Sequence, residues 1–252
     1  MFLFLKKLIP LPGLRKPGRG INFFRNKNMP LSSLLVQAFN DHPLGLCGQH
    51  DPAKSVASVE SVEQRLNLLT LGAVLDTNHL NAERWSALAA LHDHWLLDPP
   101  QAAYKSSPQI LAIMQQLHIA GPQYIARVWW QICRGVQGRF KGSWRDLLKA
   151  NDDNAQTLQR YLQQSQTTFP VFAGPVISAR WLDLIHRIGG VTLQDWDRLT
   201  VTLPPEQIKT ARKFGITEAE VHPLVSSALE VWSTSCRNLP AESCGLAGCP
   251  GK

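Results

Sequence analysis

The chain has 252 residues and is 44% apolar, which gives room for a full buried core and excludes a polypeptide that is disordered throughout. Its formal charge of +7 is unevenly placed, because residues 1–30 hold seven basic side chains and no acid, while the rest of the chain carries 19 of each sign. A uniformly basic body is therefore excluded, and the excess charge belongs to a tail of the kind that meets phosphates or membrane surfaces without specificity.

In that tail an apolar run, Met1 to Leu5, precedes Lys6 and Lys7, the reverse of a secretory signal, and it is far too short to span a bilayer. Met29 is a candidate start. The expectation is a basic, disordered tail over 1–30 followed by a helical domain over 31–250. No other segment approaches eighteen consecutive apolar residues, so a soluble protein with no membrane partner is expected; a cytoplasmic location and a monomeric state are further expectations.

Residues 29–58 read as loop; His42, Cys47 and His50 within them fit either a metal site or scattered polar residues. Helical periodicity begins with Val62, Leu66, Leu69 and Ala73 and continues with Trp85, Leu88, Leu91 and Trp95, until Asp98-Pro99-Pro100 ends the pattern. Ser107-Pro108 opens a further helix with Ile110, Ile113, Met114 and Leu117 inward, and Gly121-Pro122 breaks it. Tyr124, Val128, Trp129 and Ile132 then form a stripe running into Cys133. Ser143 and Asn154 are N-caps for helices over 144–149 and 155–164. Val191-Thr192-Leu193 and Val201-Thr202-Leu203 are strand-like but too short to build a sheet, so the fold class is all-α, with roughly ten helices.

The segment Phe169 to Leu182 contains Ala173-Gly174-Pro175-Val176, a pattern suited to a helix hairpin. Gly174 would supply positive φ or close approach in the turn, and Pro175 fits the first position of a helix. The amides that follow lie at the positive end of the helix dipole and can hold a phosphate without reading sequence. An ordinary helical corner in an all-α core has the same pattern.

Cys236, Cys244 and Cys249 cluster near the C-terminus, interleaved with Gly245 and Gly248. With five cysteines and no export signal, metal binding or buried thiols explain them better than disulfides. A basic run, Arg127, Arg134, Arg139, Lys141, Arg145 and Lys149, is interleaved with Trp129, Trp130, Phe140 and Trp144. It reads either as a phosphate-tracking surface, with Trp130 as the exposed ring, or as an amphipathic helix with core tryptophans.

The order of helices, Gly-Pro hairpin, apolar helix, Gly189-Gly190 turn and cysteine loop resembles the helix-hairpin-helix DNA glycosylases of the endonuclease III type. The resemblance spans Val59 to Pro250 and is most specific over Phe169 to Ile216 and the cysteine tail. It implies a two-subdomain helical fold, with a barrel part over 59–165, the hairpin and catalytic helix over 166–216, and a C-terminal helix and cysteine loop over 217–250. It implies duplex DNA as partner, contacted by Gly174, Pro175, Val176, Ile177, Arg180, Lys209 and Arg212. It also implies a 4Fe-4S cluster on Cys236, Cys244, Cys249 and Cys47, with a zinc site as the alternative.

Two departures bear on chemistry. Members show Val-Asp-x-His before the apolar helix, whereas this chain shows Pro204-Pro205-Glu206-Gln207, leaving Glu206 as the candidate catalytic carboxylate, with Asp183, Asp195 and Asp197 as stand-ins. The lyase-competent members carry Lys after the hairpin Gly, and Val176 stands there, which leaves no amine nucleophile. The implied activity is a monofunctional N-glycosylase of base-excision repair; the other reading is a catalytically silent DNA-binding or scaffold protein on the same fold.

Overall fold

A computed structural model of the chain describes residues 56–75, 82–231 and 233. The expected N-terminal tail, Cys47 and the three C-terminal cysteines lie outside the described residues. The described part is mostly helical, consistent with the all-α expectation. Its ten α-helices are α1 (Val62–Leu75), α2 (Ala82–Ala89), α3 (Pro99–Tyr104), α4 (Ser107–Gln116), α5 (Pro122–Phe140), α6 (Trp144–Lys149), α7 (Ala155–Gln164), α8 (Pro175–Ile188), α9 (Pro205–Lys213) and α10 (Pro223–Val231). Two-residue strands β1 (Val201–Thr202) and β2 (Glu220–Val221) pair antiparallel with Val201 opposite Val221. Among the described residues no helix is long and apolar enough to cross a membrane.

Local chemistry sets most boundaries. Ser143 accepts from the Asp146 amide at 3.1 Å and Asn154 accepts from the Thr157 amide at 3.0 Å, so α6 and α7 start where their caps were expected. Gly121 takes the left-handed conformation (φ 59°) ahead of Pro122, which lets the chain reverse between α4 and α5. Elsewhere the structure departs from the periodic reading. The second helix stops at Ala89, and Trp95 belongs to a separate 3₁₀ turn, because successive turns over 90–94 break the register. Pro99 and Pro100 begin α3 rather than simply ending a helix, since proline costs nothing in a first turn. Tyr124 is 53% exposed and not part of the inward stripe. Val191-Thr192-Leu193 forms no strand.

Two hydrophobic cores result. The larger is built around α1, α5, α6 and α8, with Trp129, Trp144, Trp181, Phe169 and Phe172 fully buried. The three fully buried indoles each find an acceptor: Trp129 on the Leu96 carbonyl (2.8 Å), Trp144 on Asn67 Oδ1 (2.7 Å) and Trp181 on Thr70 Oγ1 (3.0 Å). The smaller core contains nine residues, Ala179 of α8 among them, with Val201, Leu203, Ala211, Phe214 and Ile216. α8 thus serves both: Trp181, Leu182 and Ile185 face the large core, and Ala179 faces the small one.

Trp181 is the side chain on which α8 depends most. Trp181→Ala is expected to destabilise the protein by about 3–5 kcal/mol through lost burial and the cavity left behind. Urea denaturation followed by circular dichroism checks this; a loss below about 1 kcal/mol would contradict the placement.

Candidate nucleic-acid interface

The hairpin expectation is met on one side only. Residues 175–188 form a regular helix, but 165–174 form a succession of turns and not a second short helix. Ala173 N–H donates to the Phe169 carbonyl and Gly174 N–H to the Val171 carbonyl, holding the turns on the buried Phe169 and Phe172 rings. Gly174 has φ −71° and ψ 127°, ordinary extended backbone, so positive φ is not the reason for glycine there. A Cβ would meet the Val171 carbonyl at 3.4 Å, which is normal contact. What glycine does provide is the lack of a side chain.

That lack leaves the start of α8 open. The first amides of a helix have no intrahelical acceptor, Pro175 contributes none, and no side chain caps the rest. Ser178 is turned the other way, its hydroxyl donating to the Gly174 and Pro175 carbonyls at 3.1 Å. Pro175 is exposed, and Gly174, Val176 and Ile177 are half-buried.

α9 begins in the same manner, with Pro204 in extended backbone and Pro205 at its first position. Glu206 is the second residue and exposed, where a carboxylate complements the helix dipole. Lys209 and Arg212, one turn apart, are exposed, while Gln207, Thr210 and Ala211 are buried. The Gln207 Oε1 accepts from Ser226 Oγ at 3.4 Å, tying α9 to α10. Val176 and Ile208 both pack on the small core, so the starts of α8 and α9 are brought to one structural unit.

Arg180 does not join this group as an open cation. Its guanidinium is ion-paired with Glu230 of α10, with side chains 20% and 21% exposed. Its Nε is buried without an acceptor. Arg180 therefore closes the small core. Of the other acids considered, Asp183 is 2% exposed and bound to Arg187, Asp195 accepts from Asn154 Nδ2 at 2.7 Å and pairs with Arg198, and Asp197 is exposed.

Trp130 is half-buried, its indole donating to the Lys105 carbonyl at 2.9 Å and its face covered by the Arg134 guanidinium 4.7 Å away, so it is not the exposed ring expected. Cys133 is fully buried in the large core, and burial pushes its thiol well above the ordinary range, which disfavours the thiolate a metal requires. Among the described residues no group of three His, Cys, Asp or Glu side chains could hold a metal ion.

One cluster has no local sequence signal. Asp183, His186 and Arg187 are spaced i, i+3, i+4 on α8, the spacing that puts them on one helical face, and Trp196 and His222 close over them. The His186 ring stacks on Trp196 (4.5 Å between centroids, 9° between planes), and His222 meets the same indole edge-on at 4.7 Å. Each imidazole Nδ1 accepts a backbone amide, from Leu193 at 3.1 Å and from Leu224 at 3.2 Å, so both rings are neutral with the proton on Nε2. His222 Nε2 donates to the Trp196 carbonyl at 3.2 Å. Burial lowers both pKa values from the ordinary 6.5, against the opposing attraction of Asp183.

Comparison of the chain with protein families, with curated proteins and with solved structures returns no match.

The two histidines make stability pH-dependent. Their folded pKa values lie below 6.5, so as pH falls through 6.5 the unfolded chain binds protons that the folded one refuses. Their contribution is complete above that value and is lost on further acidification. Glu63, whose carboxyl burial pushes up, contributes in the opposite sense. Urea midpoints should fall between pH 7.5 and 5.5, and the double variant His186→Gln, His222→Gln should show a smaller fall. An unchanged difference in the double variant would remove the histidines as its cause.

Proposed function

We propose that the chain binds duplex DNA, as a monomer, in the manner of the base-excision-repair glycosylases it resembles, and acts as a monofunctional N-glycosylase. The observation that carries this reading is the pair of proline-initiated helices on one small core. α8 offers uncapped first-turn amides, and α9 offers an exposed carboxylate with Lys209 and Arg212 beyond it. Amides at a helix start hold a phosphate by dipole and hydrogen bond. Lys209 and Arg212 add sequence-independent attraction. Glu206 would then stabilise the oxocarbenium-like sugar and position water, and with Val176 after the hairpin Gly there is no amine to form a Schiff base.

The cofactor in this reading is a 4Fe-4S cluster on Cys236, Cys244, Cys249 and Cys47, with a zinc site of the three C-terminal cysteines and a histidine as the rival. Protein purified without oxygen should carry iron and acid-labile sulfide, lost on Cys244→Ser. Zinc or no metal would remove the cluster.

On a panel of damaged duplexes the protein should release free base, and Glu206→Gln should lower the rate by about 100-fold or more, the scale of a positioned acid–base group. Equal rates would remove Glu206 from the chemistry. The second reading, a silent DNA-binding protein, is favoured by Gln207, which is buried and engaged by Ser226 where the resembled proteins carry a catalytic-helix histidine. Duplex binding without base release from any lesion would select it.

A further inference from the structure

The opposite end of α8 carries a second cationic feature. α8 ends with Gly189 in right-handed backbone (φ −75°, ψ −13°) followed by Gly190 at φ +80°. A right-handed then left-handed pair turns successive amides toward one side, the arrangement that makes an anion-binding concavity. Gly190 is required here because its φ is one that side chains rarely adopt, and a Cβ would stand 3.3 Å from the Arg65 guanidinium.

The loop after it is pinned further along. Leu193 N–H is held by His186 Nδ1 and Gln194 N–H by the Asp153 carbonyl at 2.8 Å. Between the helix and those anchors, the amides of Gly190, Val191 and Thr192 have no hydrogen-bond partner among the described residues. These three residues form one wall of a cavity of about 250 Å³, and Arg145, Leu148 and Lys149 of α6 with Asp153 form the other. Arg145 and Lys149, spaced i, i+4, are exposed and in no ion pair among the described residues. Arg65, whose Nε is buried without an acceptor, backs Gly190. The acids nearby are Asp153 in the wall, Asp146 beside Arg145 on α6, and Glu63, whose carboxylate accepts from the amides of Trp144 and Arg145 and is also attracted by the Arg145 charge.

We infer that the cavity between α6 and the 189–192 loop is a binding site for a phosphate-type oxyanion. Arg145 and Lys149 supply charge, the open amides supply directed donors, and Arg65 fixes positive potential behind the glycine turn. The volume is below the roughly 300–1,000 Å³ of drug-sized pockets, which suits a single small anion or a terminal phosphate group. The carboxylate of Asp153 can accept a hydrogen bond from a singly protonated phosphate, so phosphate should be held more tightly than sulfate, which carries no proton at neutral pH. The site stands apart from the start of α8, about 20 Å away along a 14-residue helix, and does not rest on the glycosylase reading.

The test is calorimetric titration of the full-length protein with inorganic phosphate and with sulfate, at constant ionic strength set by chloride. Parallel titrations use 5′-phosphorylated and unphosphorylated oligonucleotide duplexes. The double variant Arg145→Ala, Lys149→Ala alters exposed side chains, and its folding is verified by circular dichroism. Phosphate binding weakened about tenfold or more in the variant is expected, since each charge-assisted hydrogen bond accounts for about a factor of ten. The same loss confined to the 5′-phosphorylated duplex would assign the natural source to a terminal phosphate, and loss with both duplexes would assign it to the backbone. Phosphate affinity equal in the variant and the native protein, or no phosphate binding above the chloride background, would overturn the site.

Discussion

The structure depends on two buried indoles that reach the same helix. Trp144 of α6 and Trp181 of α8 both donate to α1, one to Asn67 and the other to Thr70, and the two rings meet edge-on at 5.7 Å between centroids. Thr70 in turn donates to the Leu66 carbonyl, so its oxygen is directed at the indole. Buried polar groups are costly unless paired, and these pairs satisfy groups that would otherwise penalise the core. They also fix register: sliding α8 along α1 would break a hydrogen bond as well as a contact. Everything later in the chain hangs from α8 once that position is set.

From there the two ends of α8 acquire different characters for the same reason. At its start a glycine without a side chain and a proline without an N–H leave donors uncovered. At its end two glycines reverse the chain and leave another set uncovered. Both ends lie near cations despite a body with no net charge, Lys209 and Arg212 beyond the start and Arg65, Arg145 and Lys149 around the glycine turn. Local placement of amides and a few cations, not overall composition, sets the field a ligand meets.

Much of the fold was legible because caps and prolines are local signals. Ser143, Asn154, Pro122 and Pro175 each act within one turn, and the helices begin where these residues stand. The apolar stripe over 85–95 imitates one helix because Trp85 and Trp95 both pack on the large core from different elements, and burial alone produces that pattern. Residues 169–174 form turns in place of the first helix of a hairpin because their apolar side chains serve tertiary packing against Tyr161, Trp144 and Trp181. Arg180 shows why site residues are harder: its partner Glu230 is fifty residues away, and no local pattern announces it. The His186 and His222 pair was hidden in the same way, since Trp196 joins residues from three separate segments.

The division of α8 between a large and a small core has a kinetic consequence. The small core is attached to the rest through Ala179, the flank of Val176, the Arg180–Glu230 pair and the His222–Trp196 contact, whereas α8 itself is anchored by Trp181 in the large one. Contacts so unequal do not break together. Amide protons of α9 and α10 should therefore exchange with solvent through a partial opening that leaves α1, α5 and α8 closed. In that opened form Glu206, Lys209 and Arg212 would move away from the start of α8 as one body. Anything that engages both helix starts at once would thus slow exchange across the whole small unit, turning a local contact into a protection pattern many residues wide.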